Sequence, residues 1–412
     1  FSGHTSTTLP PACPEPSTFY VGTSQSEDCL WSTIYTPGST PPTGGFPVLV
    51  WIHGGSNYFG SASAPGLDGS QLASSGNIMV VVIQYRLGVL GLVPPSQAAS
   101  NGDPNLGLQD IIHALQAVNE GISVFGGDPS KVTVGGESSG AQMIRALLGA
   151  PSAAGLFRAA ILQSDPMIYG FASSSLTTQL QSYVYSLGSL GRCTDLSCLQ
   201  ALSVEDVLSA QTQLNQMAPY MITGVPFSEV MRPTYGTPTL PADPTESLFG
   251  GVSTLSTSNI PLLITTVRNE GGQAVSQLFS SPISPNNNTY LYTLAALVGT
   301  GRAGQIVNSA SYALPASAPS GSDIFREKFE LATTDGTWRC PNRQAAALWA
   351  GTGANVWVGE WEAGETYPTN AYGGYCTSKG RVCHEDDIFP SFGTNGANEN
   401  LVGHSTSFYH PN

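Results

Sequence analysis

Ser138 stands between Gly136 and Gly140 in the run VTVGGESSGAQ at residues 132–142. A β-branched stretch precedes it and a helix-forming stretch follows, which matches the G-x-S-x-G pattern of a strand–turn–helix elbow. A serine on so tight a turn needs small flanking residues, because a larger side chain would crowd the backbone on either side. The turn leaves Oγ exposed and sets the amide of Ser139 at a helix N-terminus, where developing negative charge is stabilised. That is the setting of a covalent nucleophile. Serine is a weak one unaided, so it needs a histidine base and a carboxylate that orients the base.

A second feature, His53-Gly54-Gly55-Ser56, directly follows the apolar run 47–52. Small residues behind a strand can turn their amide N–H groups toward an oxyanion. Taken alone the segment reads as an ordinary glycine turn; beside Ser138 it reads as part of an oxyanion hole. Tyr58 and Phe59, next to it, and Glu137, before the nucleophile, are read as pocket residues, the two rings forming an aromatic wall.

These residues need a scaffold. Residues 47–52 (PVLVWI) and 78–84 (IMVVVIQ) are continuous apolar runs and predict strands buried on both faces. A helix over 106–120, a strand over 131–135 and a helix from Ser139 to about 149 follow, an alternation that specifies an α/β domain. Further strands are expected at 158–163, 260–266 and 355–361, the last closing the sheet. Helices are expected within 200–213, 322–332 and 342–350. No linker or internal repeat interrupts the chain, so residues 1–412 read as one domain with helical, cap-like insertions at about 168–257 and 285–350.

The 412 residues carry 14 Lys+Arg against 28 Asp+Glu, a formal charge of −14. An acidic surface repels polyphosphates, so nucleic acid is not an expected partner. No run is long and apolar enough to span a bilayer. Phe1 is not an initiator residue and no signal segment follows it, as expected of a processed or trimmed product. The seven cysteines lie in Gly/Ser/Thr-rich segments, which favours disulfides and a secreted, extracellular protein. Proximity pairs Cys13 with Cys29 and Cys193 with Cys198. The remaining three admit either Cys376–Cys383 with Cys340 free, or a longer-range pair. No Cys/His cluster has zinc-ligand spacing, so neither a metal nor another cofactor is expected. Asn287 in Asn287-Asn288-Thr289 is the glycosylation sequon and falls in a polar loop.

The chain resembles the type-B carboxylesterase/lipase family, the relatives of cholinesterases and some fungal lipases. The resemblance runs from Ser26-Glu27-Asp28-Cys29-Leu30 through the HGG segment, Tyr85-Arg86-Leu87-Gly88, Asn105-Leu106-Gly107-Leu108-Gln109-Asp110 and Phe125-Gly126-Gly127-Asp128-Pro129. It continues through the GESSG elbow to Asn269-Glu270-Gly271 and HEDDIFPSFG at His384. The resemblance implies an α/β-hydrolase fold, a central mostly parallel sheet with helices on both faces, and a secreted, fungal-type member. It also implies Glu270 as the acid and His384 as the base. The chain order Ser, Glu, His agrees. The implied oxyanion donors are the amides of Gly55, Ser56 and Ser139, where the family usually has glycine at 56 and alanine at 139. Glu385, Asp386 and Asp387 are expected to raise the pKa of His384. His4, His404 and His410 lie in polar termini. His113 is read as structural, and His53 as a packing or hydrogen-bonding residue.

Three departures qualify the resemblance. The family's first fifty or so residues have no counterpart, the chain ends soon after Phe392-Gly393, and the loop between Cys13 and Cys29 is short and mostly polar where family lipases carry an amphipathic flap. The expectation is a monomeric or weakly dimeric serine carboxylesterase acting on small, soluble short-to-medium acyl esters. A lipase or sterol esterase, or a specialised ester, lactone or amide hydrolase, is the alternative within enzymes. A catalytically silent adhesion or scaffold relative is the alternative outside them.

Overall fold

The computed structural model describes residues 8–16, 23–98, 100–251, 255–315, 317, 322–371, 374–378, 380–394, 401–403 and 407–409. His4, His404, His410 and residues 17–22 of the Cys13–Cys29 loop lie outside them. An eight-stranded sheet organises the chain: β1 (Ser32–Tyr35), β2 (Phe46–Ile52), β3 (Met79–Ile83), β4 (Gly127–Glu137), β5 (Ala159–Gln163), β6 (Leu262–Val267), β7 (Val356–Trp361) and β8 (Ser407–Tyr409). Their spatial order is β1-β3-β2-β4-β5-β6-β7-β8. The six inner strands are parallel to their neighbours, and β1 and β8 pair antiparallel at the two edges. The sheet therefore does not close at residues 356–361, because β8 adds one more ladder beyond β7.

Alternation along the buried strands divides the core into two layers. Val48, Val50 and Ile52 of β2 and Met79, Val81 and Ile83 of β3 join a large cluster on one face, together with residues of α1 (Leu106–Gly121) and α2 (Ser139–Gly149). Leu49 and Trp51 of β2 and Val80 and Val82 of β3 point the other way, onto Ala73, Ile388 and Phe392 of two short helices. Burial on both faces is why these strands read as unbroken apolar runs. The fold is that of an α/β-hydrolase.

Between β5 and β6 the chain forms helices, among them α3 (Val204–Met221), whose N-cap Ser203 accepts the Asp206 amide. Between β6 and β7 it forms several more, ending in α4 (Ile324–Thr333) and α5 (Cys340–Ala350). A π-helical stretch at Thr334–Arg339 joins α4 to α5. Among the described residues no helix is long and apolar enough to cross a membrane.

Candidate active site

The β4 strand ends at Glu137 and α2 begins at Ser139, so Ser138 alone makes the turn, with φ 57° and ψ −126°. A non-glycine residue adopts that backbone only where its surroundings enforce it. The Ser138 amide donates to the Gln163 carbonyl at 2.9 Å, and its own carbonyl accepts the Gln142 amide at 3.0 Å. A Cβ on Gly140 would lie 2.1 Å from the Ile52 carbonyl oxygen, so β2 and α2 can approach only at a glycine.

Glu270 lies three residues beyond β6 and is fully buried. Asn269 forms a parallel bridge with Cys383, which carries residues 382–384 alongside the end of β6. The register brings the imidazole to the carboxylate: His384 Nδ1 is 2.6 Å from Glu270 Oε2 and Nε2 is 2.7 Å from Ser138 Oγ. The second oxygen, Glu270 Oε1, accepts the Val267 amide at 2.9 Å, which fixes the carboxylate's orientation. A Cys376–Cys383 disulfide braces the residue next to His384, and Cys340 is free and exposed. Cys13–Cys29 and Cys193–Cys198 are also bridged.

Burial by itself would lower the His384 pKa. The Glu137 carboxylate, followed by Glu270 and more weakly Glu385, opposes it and pushes the imidazole up. Burial raises Glu137 well above the carboxylate range, opposed by His384 and helped by Glu385, Asp387 and Glu270. Glu137 Oε1 lies 3.4 Å from His384 Nε2, so the two compete for one proton. The sign follows: a neutral residue at 137 removes an anion that favours the imidazolium. Glu137→Gln is expected to move the acid limb of the kcat/KM pH profile to lower pH, and a limb that stays in place or moves up would contradict it.

Oxyanion donors are set by register. Ile52 pairs with Gly136, so residues 53–56 emerge beside 137–139. Gly55 has φ +114°, and a Cβ there would meet the Phe59 carbonyl oxygen at 2.0 Å. Among the described residues no protein acceptor takes the main-chain N–H of Gly55, Ser56 or Ser139. His53 is buried and stacks on Tyr85 at 4.5 Å, and burial holds it down to about 4, a neutral ring.

The remaining candidates lie around the triad and beyond it. Glu137 is 1% exposed, lies 3.4 Å from His384 and lines a small buried hollow with His53, Gly54 and Tyr367. Phe59 packs partly against the Trp51 layer of the core, and its ring meets that of Tyr58 edge-on with centroids 5.8 Å apart. Tyr58 is half-buried and donates to Thr212 of α3 at 3.1 Å. A cavity of about 570 Å³ lies elsewhere, among residues such as Ser174, Thr178 and Asp195, and touches none of the three triad candidates. His113 is exposed on α1 and packs no core. Asp386 shapes the loop instead of facing the imidazole: its oxygens accept the amides of Tyr367 and Cys383. Asn287 is exposed, yet it opens the helix Asn287–Val298 because Asn286 caps the Asn288 and Thr289 amides.

Two participants escaped sequence reasoning. Trp338, on the π-helical stretch, tilts against His384 with ring centroids 5.2 Å apart. Such stretches recur at functional sites, but nothing in the 324–350 pattern separates one from continuous α-helix. Asn57, just past the oxyanion segment, bonds to Ser139 and Gln142 of α2.

Comparison with known proteins identifies the family and the fold. The carboxylesterase family profile matches residues 2–406. Para-nitrobenzyl esterase of Bacillus subtilis is 40% identical over 267 residues, 63% of this chain and 51% of that protein. Cocaine esterase of Homo sapiens is 38% identical over 205 residues, 49% of this chain and 36% of that protein. The chain thus spans about half the length, or less, of these relatives. A solved PNB esterase superposes with a TM-score of 0.73 at 32% identity, covering 94% of this chain and 74% of that one. The elbow, the sheet that carries it and the family match along nearly the whole sequence agree, and the chain belongs to the carboxylesterase family, in its cholinesterase-like, type-B branch.

Proposed function

We propose that the protein is a serine carboxylic-ester hydrolase, with Ser138 as nucleophile, His384 as base and Glu270 as the carboxylate that orients it. The observation that carries this reading is the continuous line of hydrogen bonds, 2.7 Å from Ser138 Oγ to His384 Nε2 and 2.6 Å from Nδ1 to Glu270. Oγ attacks the ester carbonyl as Nε2 takes its proton, and Nδ1–H stays on Glu270. The tetrahedral oxyanion is held by the amides of Gly55, Ser56 and Ser139, each contributing about 3 kcal/mol. His384 then returns the proton to the alkoxide, alcohol leaves, and an acyl-serine remains. Water attacks that ester as His384 takes its proton, and His384 returns the proton to Ser138 Oγ as the acyl–Oγ bond breaks and the acid leaves.

Short-to-medium acyl esters are the substrates we assign. The short Cys13–Cys29 loop and the Trp338 ring against His384 support a compact pocket. One observation favours the lipase alternative: Met217, Tyr220 and Met221 are exposed on α3, the helix whose Thr212 holds Tyr58, and Phe227 is packed against Tyr220. Chain length decides between the two, because a long acyl tunnel gains roughly 0.8 kcal/mol per buried methylene. With p-nitrophenyl esters from acetate to palmitate, kcat/KM is expected to peak between about C2 and C6, without a jump at the micelle threshold. A maximum at about C12 or beyond, or interfacial activation, would favour the lipase. Three disulfides and the exposed Asn287 support secretion and glycosylation.

A further inference from the structure

The oxyanion turn is built on strained backbone. Ser56 and Asn57 both have φ +56°, a conformation that glycine adopts freely and other residues keep only when held. Asn57 is held through its main chain and its side-chain Nδ2. Its main-chain N–H donates to Ser139 Oγ at 3.1 Å, and its carbonyl accepts the Gly88 amide at 2.8 Å. Its Nδ2 donates to Gln142 Oε1 at 2.8 Å. Gln142 is itself anchored, donating through Nε2 to Glu229 Oε2 at 2.6 Å and to the Gly170 carbonyl at 3.1 Å. Asn57, Ser139, Gln142 and Glu229 are all buried.

We propose that Asn57 is a positioning residue for the oxyanion hole, with the Ser139 hydroxyl and the Gln142–Glu229 pair clamping it to the nucleophile helix. The inference rests on the serine-hydrolase reading of the same site. The direction of the Gly55 and Ser56 amides depends on the torsions of this turn. Released from α2, residues 56 and 57 relax toward negative φ, and the intervening peptide planes rotate their N–H groups away from the oxyanion. An oxyanion hole works through donors fixed in advance, so the loss falls on the transition state and spares the ground state. Ser139 therefore serves twice, its amide as a donor and its hydroxyl as the acceptor that keeps the neighbouring donors aimed.

The test uses the full chain with p-nitrophenyl butyrate and a trifluoromethyl ketone, whose adduct with Ser138 carries the oxyanion. Asn57→Gly removes the side-chain bond while suiting the left-handed backbone, and Ser139→Ala removes the acceptor while keeping the amide. Each is expected to lower kcat about tenfold with KM within about twofold, and to weaken the ketone by the same factor as kcat/KM. Wild-type kcat in Asn57→Gly would overturn the proposal, since the asparagine would then only tolerate the turn. A kcat loss without weaker ketone binding would also overturn it, as the effect would be general loosening. Ser139→Ala reads the same clamp if Asn57→Gly folds poorly by circular dichroism. A wild-type protein that hydrolyses no ester would refute the underlying reading instead, before any variant is made.

Discussion

Ser138→Ala is expected to abolish ester hydrolysis, a fall in kcat of roughly a million-fold, while the protein stays folded. In the proposed mechanism Oγ forms the acyl bond, and among the described residues no other serine lies on an elbow against a histidine with a buried carboxylate behind it. The fold has little stake in the hydroxyl, whose one side-chain hydrogen bond is to His384. Alanine takes the same backbone geometry that serine already does, so the stability change is about 1 kcal/mol, the worth of one hydrogen bond. Steady-state kinetics beside a thermal melt checks both halves. Retained turnover above about a hundredth of wild type would place the chemistry on another residue.

Glu270→Gln is expected to cost roughly 10⁴-fold in kcat with unchanged substrate binding. The reason lies in the Val267 amide. That N–H donates to Glu270 Oε1, so a glutamine keeps its carbonyl oxygen there and turns its NH₂ toward His384 Nδ1. Nδ1 must then accept, the ring proton moves to Nε2, and the nitrogen facing Ser138 can no longer take its proton. The geometry survives and the tautomer is wrong. A kcat loss smaller than tenfold, measured on pure variant by active-site titration, would show that the carboxylate does not select the tautomer.

The parts legible in the sequence were those that local pattern determines. Strands β2 and β3 are unbroken apolar runs because both faces are covered, and the observed bounds fall within a residue of the runs. The elbow was legible because its small residues are contiguous in sequence and stand between a strand run and a helix run, although the contacts that force them include β2. Strands β1 and β8 were not, being short edge pairs with no continuous apolar run. β4 extends to Gly127–Glu137, beyond the expected 131–135, since its pairing with β2 resumes at Phe46 and Gly127 across a register shift. α3 runs to Met221 through Pro219, with Ser203 as the cap that sets its start.

At the site, residue types were readable and mutual distances were not. Ser138 and His384 are 246 positions apart, and Glu270 reaches His384 through a bridge at Asn269 and Cys383 that no periodicity announces. Glu137 is read as a pocket residue from its place beside Ser138. Only the fold shows that it turns inward to His384. The Asn57–Gln142 contact spans 85 positions and joins two side chains that, in sequence, look like an ordinary turn and an ordinary helix.

The central claim is that Ser138 is a nucleophile activated by His384. Its most direct test is a fluorophosphonate probe followed by peptide mass mapping of the intact protein. The account predicts one phosphonyl group per chain on the peptide bearing Ser138, and none on the Ser138→Ala protein. Labelling of a different serine, or no labelling of a folded wild-type chain, would contradict it.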